Sequence, residues 1–112
     1  EVLLLAHCEN GVGPQKTMAH FYDLLIRPLP EVLKSNGNAY TLYSHKAYKF
    51  AQMIQQLQAI HVHSSLADAA IARIHLTPCA NPQALVNRWL SDNPQAKINV
   101  FDGANNLAIY TE

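Results

Sequence analysis

The stretch VLLLAHCENGVG, residues 2–13, decides the fold. Val2 to Ala6 is an unbroken apolar run, the pattern of a strand buried on both faces. His7, Cys8 and Glu9 follow at once, and a loop carrying Gly11 and Gly13 leads onward. In an open parallel sheet, ligands bind beyond the carboxyl ends of the strands. These polar side chains therefore stand where they can reach a cleft without entering the core.

Downstream, Met18, Phe21, Tyr22 and Leu25 recur at helical spacing. They predict a helix from near Gln15 that stops before Pro28, because proline lacks a donor and restricts its predecessor. A short turn is expected over Pro30 to Lys34, then the turn cluster Ser35-Asn36-Gly37-Asn38. Ala39 to Tyr43 reads as a second strand. Ala47, Phe50, Ala51, Ile54 and Leu57 mark one face of a second helix, and Ile60 to His63 a third strand. Ser65, with Asp68 three residues on, suggests a helix start for Leu66 to Ala72. Arg73 to Thr77 reads as a fourth strand. Asn81-Pro82 opens a further helix striped by Leu85, Val86, Trp89 and Leu90. Lys97 to Phe101 and Leu107 to Tyr110 flank Asp102-Gly103-Ala104-Asn105 as a hairpin.

This order predicts one α/β domain over residues 1–112: a mostly parallel sheet, helices on both faces, and a C-terminal β-hairpin. With 49% hydrophobic and 14% charged residues, the chain has the makings of a well-buried core and is not a disordered segment. Basic and acidic residues balance at 8 each, which argues against nucleic acid or an anionic membrane as partner. No apolar run approaches the ~20 residues of a membrane span. Cys8 and Cys79 read as reduced thiols of a cytoplasmic protein. The chain starts at Glu1 and not at Met, so a leader removed earlier would leave no trace.

Three chemistries compete for the loop. Asn10 to Thr17 has the look of a phosphate cradle, in which Gly11 and Gly13 expose backbone N–H groups and Lys16 supplies charge. Asn10 and Gln15 stand where such a loop wants glycine, and Pro14 removes a donor. Cys8 could instead serve as a nucleophile or phosphate carrier, and His7 as a phosphohistidine. A cysteine phosphatase, however, needs an arginine where Pro14 stands. The third chemistry is metal binding. Imidazole is a common ligand of divalent ions, and His61 and His63 alternate on one strand face, with His63 able to approach His7. His20 and His45 read as solvent-facing, His61 as a satisfied core residue, Cys79 as an apolar filler and Trp89 as core packing.

Leu3-Leu4-Leu5-Ala6-His7 resembles the start of class II chelatases, which insert a divalent metal into sirohydrochlorin. In that family the run ends in histidine, glycine and serine; here Cys8 and Glu9 replace the last two. Leu76 to Leu85, with Asn81-Pro82, is similar to the family's late strand, loop and helix. The family's second histidine lies in a glycine-flanked loop, whereas His63 lies within its strand. The resemblance implies a chelatase-like or flavodoxin-like fold and a cobalt, nickel or iron ion as cargo. It implies a tetrapyrrole or other small anionic ligand, and allows a homodimer. His7 would bind the metal, His63 would supply a second ligand or base, and Glu9 is a candidate proton acceptor from local chemistry. Val12 and Leu66 would touch the macrocycle, with Lys16 and Arg73 as rim cations. Metalation releases two protons as the ion enters, a task suited to histidine. Two other readings stand beside this one: a non-catalytic α/β ligand-binding or protein-interaction domain, and a phosphotransfer domain using Cys8 or His7.

Overall fold

The structure is a computed structural model, described here for residues 1–11, 13, 15–34 and 43–104, with only the backbone of Gln15 and Thr17. The chain is mixed α/β. Its elements run β1 (Val2–Leu5), α1 (Gln15–Leu25), α2 (Leu29–Lys34), α3 (Ser44–Gln56), β2 (Ile60–His63), α4 (Asp68–Arg73), β3 (Thr77–Pro78) and α5 (Pro82–Asp92). Among the described residues the three strands form one parallel sheet in the order β1-β2-β3. Val2 pairs with Ile60 and Leu5 with His63; on the other side of β2, His61 pairs with Thr77. The chain divides into two compact units, Glu1–Pro82 and Gln83–Glu112.

Within the first unit the main core is helical. Leu24 and Leu25 of α1, Val32 of α2, and Ala47 and Ala51 of α3 are buried together, with Phe21, Leu29, Leu33, Phe50 and Ile74 packed around them. Alanines on α3, one turn apart, leave room for the neighbouring helices to come close. At the sheet, Ile60, Val62 and Ile71 are buried. His61 is the satisfied core histidine that its strand position suggests, with Nε2 2.9 Å from Glu1 Oε2. In the second unit α5 buries Leu85, half-buries Val86 and Trp89, and leaves Leu90 exposed.

Several local expectations need correction. Residues 30–34 are not a turn but most of α2, because proline is tolerated in a helix's first turn. Glu31 near the start and Lys34 at the end also complement the helix dipole. Arg73 to Thr77 is not a strand. Arg73 ends α4, and His75 turns the chain through left-handed backbone, leaving only Thr77–Pro78 to pair. Tyr43 is the left-handed residue before α3, its ring 6.0 Å from Phe21 in an edge-on contact; the remainder of the expected strand, 39–42, lies outside the described residues. β1 is not buried on both faces: Leu4 is 42% and Leu5 69% exposed. Residues 97–101 join no ladder among the described residues, and 107–110 lie outside them.

Candidate functional site

The carboxyl ends of β1 and β2 lie side by side, which brings His7 and His63 to one rim of the sheet. The ladder is regular as far as the bond from Ala6 N–H to the His63 carbonyl, 3.0 Å. Beyond it, Ser65 N–H bonds the carbonyl of His7 at 3.1 Å, and the Ser65 hydroxyl donates to the same oxygen at 2.6 Å. Cys8 then takes a left-handed conformation, φ 53°, and its carbonyl accepts Gly11 N–H at 2.9 Å. The strand thus ends in a tight turn over Cys8 to Gly11, with His7 at its entrance.

His7 is exposed, with Nδ1 3.9 Å from Glu9 Oε2. At that separation and exposure the pair is an orienting influence more than a source of stability. His63 is held more firmly, for its Nδ1 lies 2.8 Å from the Cys79 carbonyl. A carbonyl can only accept, so Nδ1 carries a proton, and in the neutral ring Nε2 keeps the lone pair. The Cys79 peptide is itself anchored, its N–H bonded to the Val62 carbonyl at 2.8 Å. The three strand ends therefore fix one imidazole firmly and leave the other guided by a carboxylate.

The remaining loop candidates are more loosely placed. Gly11, at φ +70°, has its N–H committed to Cys8. Gly13, at φ +110°, has a clear packing role: a Cβ there would meet Met18 Cγ at 3.0 Å. Lys16 is exposed near the start of α1, and Arg73 is exposed at the end of α4. Cys8 and Cys79 are half-buried free thiols. Leu66 is half-buried, its N–H bonded to Ser64 Oγ at 3.2 Å, while Val12 lies outside the described residues. Among the described residues there is no group of three or more His, Cys, Asp or Glu side chains placed to hold a metal ion. Nor is any helix among them long and apolar enough to cross a membrane.

Two contributors escaped the sequence reading. Ser65 looked like a helix start, yet α4 begins at Asp68 with Ala67 as its cap residue and no side-chain cap bond. The other is the Cys79 carbonyl, a backbone group that no side-chain pattern announces. Comparison of the chain with family models, characterised proteins and solved structures finds no match.

Proposed function

We propose that the chain is a class II chelatase-like domain whose rim takes a divalent ion of cobalt, nickel or iron and delivers it to a tetrapyrrole. The observation that carries this reading is the state of the two rim imidazoles. His63 commits Nδ1 to the Cys79 carbonyl, and His7 turns Nδ1 toward Glu9, so each ring keeps Nε2 for a ligand. An imidazole anchored through its other nitrogen is the usual arrangement around a bound metal. Two imidazoles make a partial donor set. That suits an ion that is cargo, because the nitrogens of the macrocycle complete its coordination.

The backbone of Cys8 also fits the reading. The resembled family carries glycine after the strand-end histidine, and φ 53° is a conformation that glycine adopts without strain. When the ion passes to the macrocycle two pyrrole protons must leave: the Glu9 carboxylate would take one, and His7 Nε2, once freed of the ion, would take the other. Lys16 near the start of α1 offers a cation to the ligand's carboxylates and Leu66 an apolar contact, whereas Arg73, at the end of α4 beside the His75–Arg27 bond, lies away from the rim. The same reading includes helices on both sheet faces in a chelatase-like or flavodoxin-like arrangement, a cytoplasmic setting suited to free thiols, and a homodimer.

Titration with Co²⁺ and Ni²⁺, with and without sirohydrochlorin, tests the proposal by visible absorption. Micromolar ion binding, its loss in His7→Ala and His63→Ala, and conversion of the macrocycle spectrum are expected. An absence of ion binding together with unchanged macrocycle absorbance would overturn it. The exposed Leu5 favours a second reading, a non-catalytic interaction domain. In that case both histidine variants match the wild type in every small-molecule assay.

A further inference from the structure

We infer that Ser65 is the positioning residue for His7, an inference that rests on the chelatase-like reading of the rim. With Leu5 opposite His63, and Ala6 N–H bonded to the His63 carbonyl, a regular parallel ladder would next carry Ser65 N–H to the Ala6 carbonyl. Ser65 reaches the His7 carbonyl instead, so β1 gains one residue on β2 at this point. Slips of this kind re-aim the side chain at a strand's end. Here the slip falls on the histidine that would meet the metal.

Two donors converge on the one carbonyl, the N–H at 3.1 Å and the hydroxyl at 2.6 Å. Together they fix the peptide plane after His7, and with it the direction of the Cα–Cβ bond. His63 is fixed separately, on β2, through the Cys79 carbonyl. The Ser65 clasp therefore sets the direction in which the His7 side chain leaves the strand end, beside the separately anchored His63. A serine that served only to start α4 would direct its oxygen to that helix's N–H groups, whereas this hydroxyl points across the strands.

The test measures Co²⁺ affinity by visible absorption for the full chain and for Ser65→Ala and Ser65→Thr. Alanine deletes the hydroxyl bond and keeps the N–H bond; threonine keeps both. Ser65→Ala is expected to lose about tenfold in affinity, the low end for removal of a group that orients a metal ligand. Ser65→Thr is expected to restore it. Ring ¹H–¹⁵N correlations, recorded without metal, give a second readout: in Ser65→Ala the His7 signals shift while those of His63 stay. Wild-type affinity in Ser65→Ala, with His7 signals unmoved, overturns the inference. If the wild type itself binds no Co²⁺, the chelatase-like reading fails, and the His7 signals alone decide whether Ser65 positions that ring.

Discussion

His75 donates Nε2–H to the carbonyl of Arg27 at 2.7 Å, and it does so from left-handed backbone at φ 64°. One side chain thereby ties the turn after α4 to the chain just beyond α1. His75→Asn keeps a residue type that tolerates this backbone but shortens the reach. It should destabilise by about 1 kcal/mol, the usual net worth of one hydrogen bond. Urea unfolding of the two proteins measures the difference.

Val32 is 2% exposed and sits at the centre of the helical core. Val32→Ala should cost about 2 kcal/mol through lost burial and the cavity left behind. Ala51, 1% exposed, meets the opposite constraint. Ala51→Leu should cost about 1–3 kcal/mol by forcing the packed helices apart. Thermal melts monitored by far-ultraviolet circular dichroism read both effects.

Cys8 holds a conformation that costs a non-glycine residue about 1–2 kcal/mol. Cys8→Gly should accordingly be about 1 kcal/mol more stable than Cys8→Ala, reversing the order expected in a helix or strand interior. Equal stability by denaturant unfolding would show that the turn tolerates a side chain without strain.

The His63 ring, bonded through Nδ1 to a carbonyl, should be the Nδ1–H tautomer whenever it is neutral. Long-range ¹H–¹⁵N correlations distinguish the two ring nitrogens. A protonated Nε2 in the neutral ring would contradict the Cys79 bond and remove the nitrogen that the metal reading uses.

Much of the fold was legible because apolar runs and stripes report strand and helix, even where, as at Leu4 and Leu5, the residues themselves stay exposed. The runs at Val2 to Ala6 and Ile60 to His63 became β1 and β2, and the stripes on 15–25, 44–56 and 82–92 became helices. Pro30 misled because a proline inside a short segment marks either a turn or a helix's first turn, and only packing chooses between them. At 73–77 the apolar residues were real, but the His75 bond to Arg27 bends the chain before it can extend. Of the site, sequence placed His7 and His63 at strand ends. It missed Ser65, because a serine ahead of Asp68 fits a helix start as readily as a bond to a strand 58 residues away. Nor could it show that the carbonyl of Cys79, a residue of interest for its thiol, holds His63.

The span of that clasp bears on the order in which the molecule assembles. His7 and Ser65 meet across 58 residues, whereas His63 and Cys79 are 16 apart, and α1, α2 and α3 all lie inside the longer loop. Closing a long loop costs more chain entropy, and distant contacts are the slower to form. The three helices can consolidate before β1 docks, so the rim is completed late. In a stopped-flow refolding experiment the helical signal should rise first, and on the chelatase-like reading Co²⁺ uptake should lag behind it, making the metal a clock for the final step.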